Sequence, residues 1–236
     1  LVTGPTGSGK STTMSRIIDE VNQVHEKMII TVEDPIEYLH KPKKSVIVQR
    51  EIGPDAMTFK DALIAAMRQD PDVILIGEIR DQATASAAIE AAQTGHLVFA
   101  TLHTQDTVRT VNRVMDLFPP EERDTARVLF AESCIGILSQ MLLPRKTGGR
   151  VAAMEVLKVN LRVRDLIKDE NRTPEIYEVL EDSRADGMQS FDDHLSELYE
   201  ADLIDYDTGM LAATSSQKFK MAATQIHEKR KIAAGD

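Results

Sequence analysis

The 236-residue chain carries 28 Lys and Arg against 38 Asp and Glu, a formal charge of -10, and 42% of its residues are hydrophobic. That apolar content excludes a disordered chain, and the acidic balance argues against a nucleic-acid binder, which needs a basic surface to displace counterions from phosphates. One Cys excludes a disulfide framework and any zinc site built from several thiolates; no signal peptide is visible and no apolar run approaches the ~20 residues that span a bilayer, so a cytosolic chain is expected.

The chain enters a glycine loop after only three residues, Leu1-Val2-Thr3. This reads as a strand cut in the middle, and so as a fragment of a longer protein. As far as about residue 102, short β-branched runs alternate with amphipathic segments. The runs at 28–32, 73–76 and 97–102 are nearly continuous in hydrophobicity, as strands buried on both faces of a parallel sheet should be. Helical patterns lie at 11–27, 58–68 and 81–94, and the alternation predicts an α/β domain. Beyond about residue 105 helical patterns dominate, at 120–143, 161–170, 174–180 and 191–201. Gly148-Gly149 turns into a single further strand at 151–156. Residues 160–236 read as a helical lobe, with the basic run Lys229-Arg230-Lys231 as a solvated helix end.

Gly4-Pro5-Thr6-Gly7-Ser8-Gly9-Lys10-Ser11 fits Gly-x-x-x-x-Gly-Lys-Ser/Thr in full, with a strand before it and a helix after it. Glycines let backbone amides converge on phosphate oxygens, and the following helix aims its positive end at the same anion. Thr6, Gly7, Ser8, Gly9, Lys10, Ser11 and Thr12 are the expected nucleotide contacts. Lys10 would serve the β- and γ-phosphates, and the Ser11 hydroxyl would ligate Mg²⁺.

Glu33, Glu78 and His103 each follow a buried strand at its carboxyl end, the edge of an open α/β sheet where ligands bind. Glu78, in Asp70-Pro71-Asp72-Val73-Ile74-Leu75-Ile76-Gly77-Glu78, is the candidate second Mg²⁺ group, acting through water. Glu33, in Val32-Glu33-Asp34-Pro35-Ile36-Glu37, is either a general base for the attacking water or, with Asp34, the shaper of a turn before Pro35. Spacing alone leaves both readings open. His103 either contacts the γ-phosphate or is structural. Arg80, Arg109 and Arg113 are candidates to reach a γ-phosphate from a neighbouring subunit, or surface ion-pair partners. Cys134, in the apolar stretch 129–143, reads as a buried small hydrophobe.

Four segments together carry a resemblance: the phosphate loop at 4–11, Val-Glu-Asp-Pro-Ile-Glu-Tyr at 32–38, Asp-Pro-Asp-Val-Ile-Leu-Ile-Gly-Glu-Ile-Arg-Asp at 70–81, and Thr-Gly-His-Leu-Val-Phe-Ala-Thr-Leu-His-Thr at 94–104. In that order they resemble the Walker A, Asp box, Walker B and His box of the secretion ATPase superfamily. Within it the chain is similar to the PilT-type retraction ATPases of type IV pili. The assembly and type II secretion branches usually carry a tetracysteine insertion after the His box, and here only Cys134 follows His103. The retraction branch carries Ala-Ile-Arg-Asn-Leu-Ile-Arg-Glu in its C-terminal lobe. Against it, Arg164, Leu166 and Ile167 match, Val163 and Lys168 are conservative, Asp165 and Asp169 replace Asn and Glu, and Arg162 stands in place of Ala. A PilU-like paralogue and a divergent retraction ATPase both stay open.

The resemblance implies an α/β fold: a P-loop, RecA-like ATPase core with a mostly parallel sheet over 1–159 and a C-terminal helical lobe over 160–236. It implies Glu33 as catalytic glutamate, Glu78 as Walker B acid, His103 as γ-phosphate contact, and ATP with Mg²⁺ as ligands. It further implies a homohexamer, an N-terminal PAS-like domain outside this chain, and an inner-membrane platform protein as partner. The protein would be cytoplasmic and peripheral to the inner face of the inner membrane, without direct nucleic-acid contact. Pilus retraction is the expected output. A pilus-extension or type II secretion ATPase, and a nucleotide-gated scaffold that does not hydrolyse ATP, are the alternatives.

Overall fold

The computed structural model describes the backbone of residues 1–234 and the side chains of residues 1–230, so the side chain of Lys231 lies outside the described residues. Seven strands form one sheet: β1 (Val2–Thr3), β2 (Met28–Glu33), β3 (Val46–Glu51), β4 (Val73–Ile76), β5 (Leu97–Leu102), β6 (Gly136–Pro144) and β7 (Arg150–Lys158), in the order β3-β2-β4-β5-β1-β6-β7. All neighbours are parallel except the β6–β7 hairpin. Two-residue β1 sits inside the sheet between β5 and β6, with Val2 opposite Thr101 on one side and Leu138 on the other.

Strand side chains alternate between faces, and here each face is covered. Val73, Leu75 and Ile29 pack with Met14 and Ile18 of α1 (Lys10–Val24). Ile74, Ile76 and Val32 face the other way, into a core shared with α2 (Phe59–Met67), α3 (Gln82–Gln93), α4 (Thr107–Asp116) and α5 (Arg123–Ser133). The helices after β4 and β5 begin at acidic N-caps: Asp81 accepts from the Thr84 amide and Asp106 from the Arg109 amide.

The expected helix over 120–143 is not one element. A 3-10 turn at Pro120–Glu122 leads into α5, which ends at Cys134, and the rest is β6. The run Ile137-Leu138-Ser139-Gln140-Met141-Leu142-Leu143 satisfies either period over so short a length. Pairing on both flanks, with β1 and β7, makes it a strand, and a Cβ at Gly136 would already lie 3.1 Å from the Leu157 carbonyl oxygen. Cys134 is buried, as expected, although not inside a helix. The sequence reading also passed over β3, an edge strand that ends in Gln49-Arg50-Glu51 and is only partly buried.

Past β7 come α6 (Leu161–Lys168), α7 (Ile176–Asp182), α8 (Phe191–Glu200), α9 (Tyr206–Ala212) and α10 (Ser216–Ala234). Val163, Leu166, Ile167 and Val179 of the first two belong to the large core under the sheet. Helices α8 to α10 build a second core around Phe191, Leu195 and Phe219, closed by Leu143 and Ala153 at the outer end of the hairpin. Arg230 differs from the expected solvated helix end. It donates to the Tyr199 and Glu200 carbonyls at 2.7 and 3.0 Å and lies 5.1 Å from the Tyr199 ring centroid, closing the last turn of α8. Gly209 of α9 lies under Phe219, where a Cβ would fall 2.1 Å from the ring. Gly209→Ala should therefore cost about 1–3 kcal/mol by overpacking; the double variant with Phe219→Leu should recover part of that in a denaturant melt.

Glu155 of β7 is 3% exposed, and its Oε1 accepts the Thr107 amide at 2.8 Å, fixing the start of α4 just behind His103. Burial pushes its carboxyl up to about 7 from an ordinary 4.5. The folded state then binds more protons than the unfolded one between those values, so this group's contribution to stability falls as pH rises from 4.5 to 7. Glu155→Gln keeps an acceptor for Thr107 and should remove that slope, worth up to about 3 kcal/mol, when melts are compared at pH 5 and pH 8.

Candidate functional site

The phosphate loop leaves the carboxyl end of β1 and runs directly into α1. Gly4 has φ 151°, and a Cβ there would lie 2.2 Å from the Gln140 carbonyl oxygen, so no side chain fits. The first turn of α1 has no side-chain cap and no acid, which leaves its amides directed at the space in front of the loop. That space is a cavity of about 540 Å³, lined by Thr6, Gly7, Gly9, Lys10, Ser11 and Thr12 together with Glu33, Glu78 and His103. Ser8 is the exception among the expected contacts. Its side chain is buried, and its hydroxyl has no hydrogen-bond partner among the described residues.

Lys10 is 9% exposed, and its Nζ donates to the carbonyls of Gly4 and Pro5 at 2.8 and 3.2 Å. Burial holds its pKa below the ordinary lysine value, against the opposing pull of Glu78 and Glu37. Nζ also lies 3.5 Å from His103 Nδ1, and His103 Nε2 lies 3.2 Å from Glu78 Oε1. A neutral imidazole with its proton on Nε2 satisfies both contacts, accepting from lysine and donating to glutamate.

Glu78 is reached through Gly77. A Cβ on Gly77 would stand 3.2 Å from the Glu33 Cα, so glycine lets the exit of β4 pass close to the end of β2. The two carboxylates thereby face one cavity. Glu33 Oε1 accepts from the Thr31 hydroxyl at 2.6 Å and the Gln49 amide at 3.3 Å. Glu78 Oε2 accepts from Arg80 Nε at 2.7 Å, and Arg80 also pairs with Asp34 at 3.6 Å. Arg80 thus serves acids of its own chain; Arg109 pairs with Asp106 beside it.

Three contributors were missed by reading the sequence. Ser11 Oγ donates to Glu37 at 2.7 Å, and Thr12 Oγ1 shares a 2.8 Å hydrogen bond with the Tyr38 hydroxyl. Both partners belong to the segment 32–38 that was singled out for Glu33, and an acid four residues on was the available signal. Gln140, behind the loop, lay in the stretch read as helix and gave no signal. The oxygen donors Ser11, Glu37 and Glu78 around one polar cavity suit a hard divalent cation that keeps part of its water.

The family model of the type II/IV secretion system proteins matches residues 1–202. A twitching motility protein of Neisseria gonorrhoeae is 46% identical over 218 residues, 92% of this chain and 58% of that protein. The type IV pilus retraction ATPase PilT of Pseudomonas aeruginosa is 42% identical over 219 residues, 93% of this chain and 63% of its own length. A crystal structure of the pilus retraction motor PilT with bound ADP superposes with a TM-score of 0.86 at 45% identity, covering 93% of this chain and 62% of that one. The chain therefore spans about six-tenths of the length of these relatives. The chain belongs to the type II/IV secretion system protein family, with the P-loop α/β fold of its ATPases.

Proposed function

We propose that the chain is the ATPase part of a type IV pilus retraction motor, binding Mg²⁺-ATP at the loop and hydrolysing it. The observation that carries this reading is the convergence of Lys10, Ser11, Glu33, Glu78 and His103 on one cavity at the carboxyl edge of the sheet. The relatives described as twitching motility and pilus retraction proteins support the output.

In this reading the loop amides and Lys10 hold the β- and γ-phosphates, and Ser11 with Glu78 receives the cation that arrives with the nucleotide. That cation supplies charge neutralisation on the phosphates. Glu33, oriented by Thr31 and Gln49, takes the proton of the attacking water as oxygen joins the γ-phosphorus. The bond to the β–γ bridging oxygen breaks, giving ADP and inorganic phosphate. His103 spans Lys10 and Glu78, so it senses whether the γ-phosphate is present.

The working form is a homohexamer with nucleotide between subunits, completed by a PAS-like domain N-terminal to this region. It acts on an inner-membrane platform protein from the cytoplasmic face, peripheral to the membrane and without direct nucleic-acid contact. Among the described residues no helix is long and apolar enough to cross a membrane.

With the full chain and Mg²⁺-ATP, Lys10→Ala serves as the blank. Glu33→Gln should lose at least ~100-fold in turnover while nucleotide affinity stays within about threefold. Wild-type turnover in Glu33→Gln would remove the base role. No turnover above the Lys10→Ala blank in an assembled wild-type oligomer would remove the motor.

A further inference from the structure

A loop that binds phosphate through its amides has a second requirement. Its carbonyls must point away from the anion and still find donors. Lys10 Nζ serves the Gly4 and Pro5 carbonyls, and the Ser8 amide also donates to that of Pro5 at 3.1 Å. The Ser8 carbonyl points the other way, into the protein, where Gln140 Nε2 donates to it at 2.6 Å. Gln140 is 3% exposed, and its other end is equally engaged: Oε1 accepts the Thr13 hydroxyl at 2.7 Å. Because a carbonyl oxygen can only accept, the amide has one orientation that satisfies both partners.

The fit around Gln140 is close at each end of the loop. Its carbonyl oxygen excludes a Cβ at Gly4, and its Nε2 would lie 2.8 Å from a Cβ at Gly9. Its strand is braced from behind. Gln140 pairs with Met154 across the hairpin, the Met154 amide donates to His194 Nδ1 at 3.0 Å, and the Met154 carbonyl accepts from the Gln189 side chain at 2.9 Å. The side chain therefore ties the outer curve of the loop and the first turn of α1 to a fixed strand.

We propose that Gln140 is the positioning residue of the phosphate loop: it holds the Ser8 carbonyl out of the anion site and locks the loop to the start of α1, so that the loop amides face the phosphates. This rests on the reading of the loop as a phosphate site. Gln140 touches no reacting atom, and its effect reaches the substrate through backbone groups alone.

The test measures ADP and inorganic pyrophosphate binding to the full chain by calorimetry, alongside KM and kcat for ATP. Gln140→Met keeps the volume and removes both hydrogen bonds; Gln140→Glu removes only the donor and sets a carboxylate against the Ser8 carbonyl. Each should weaken both ligands about tenfold and raise KM more than it lowers kcat. Thr13→Val, which leaves the Ser8 bond, should weaken binding about threefold and keeps the test open if the glutamine variants do not fold. Ser139→Ala is the control on the next residue of β6, where a buried 2.8 Å contact to Thr3 is lost. It should lower the melting temperature and leave both affinities within about twofold. Wild-type affinity in a folded Gln140→Met, or an equal loss in Ser139→Ala, would overturn the assignment. A wild-type chain that binds neither ligand would instead overturn the phosphate-site reading beneath it.

Discussion

Parallel pairing is the constraint on which the site depends. Because β1, β2, β4 and β5 run the same way, their carboxyl ends emerge along one edge. The phosphate loop, Glu33, Glu78 and His103 each follow one of those ends and are delivered to the same cavity. The arrangement is economical in local structure. Strand β1 has two residues and is kept in place by pairing with β5 and β6 rather than by its own length. Reversing any one of these strands would carry its functional residue to the opposite edge, about a strand length away.

Apart from the Ser8 hydroxyl, the polar side chains named at the site are engaged within the chain. Lys10 rests on loop carbonyls, Ser11 on Glu37, Thr12 on Tyr38, Glu33 on Thr31 and Gln49, and Glu78 between Arg80 and His103. Part-buried charges left unpaired would be costly, so the fold meets that cost with internal partners. A phosphate ligand then exchanges one set of charge-assisted hydrogen bonds for another instead of releasing all its binding energy at once. The exchange also links distant groups: drawing Lys10 onto a phosphate removes a contact of His103, whose other nitrogen faces Glu78. In the proposed reading, binding would thus reach the acid through His103 without any large displacement.

Much of this was legible in the sequence because the signals were local. A complete phosphate-loop motif between a strand and a helix, and three β-branched runs each followed by a chemically competent residue, pointed to the fold class and to candidate residues that line one cavity. What stayed hidden was non-local. Strand β6 reads as helix until β1 and β7 flank it, and its Gln140 became visible only with that pairing. Strand β3 carries its polar end on a sheet edge, where alternation is weak. Helices α6 and α7 sit beyond the hairpin in sequence yet share the main core, and Arg230 looks like part of a solvated basic run until the carbonyls of α8 are placed beneath it. In each case the deciding partner lies on another element of the fold, outside the local window that a sequence pattern reads.

The most direct measurement is a crystal structure of the full chain with Mg²⁺ and a non-hydrolysable ATP analogue. The account predicts that Lys10 Nζ leaves the Gly4 and Pro5 carbonyls for phosphate oxygens, that Ser11 leaves Glu37, and that the Ser8 carbonyl stays on Gln140. An analogue bound away from the loop, with Lys10 still on its carbonyls at saturating concentration, would contradict it.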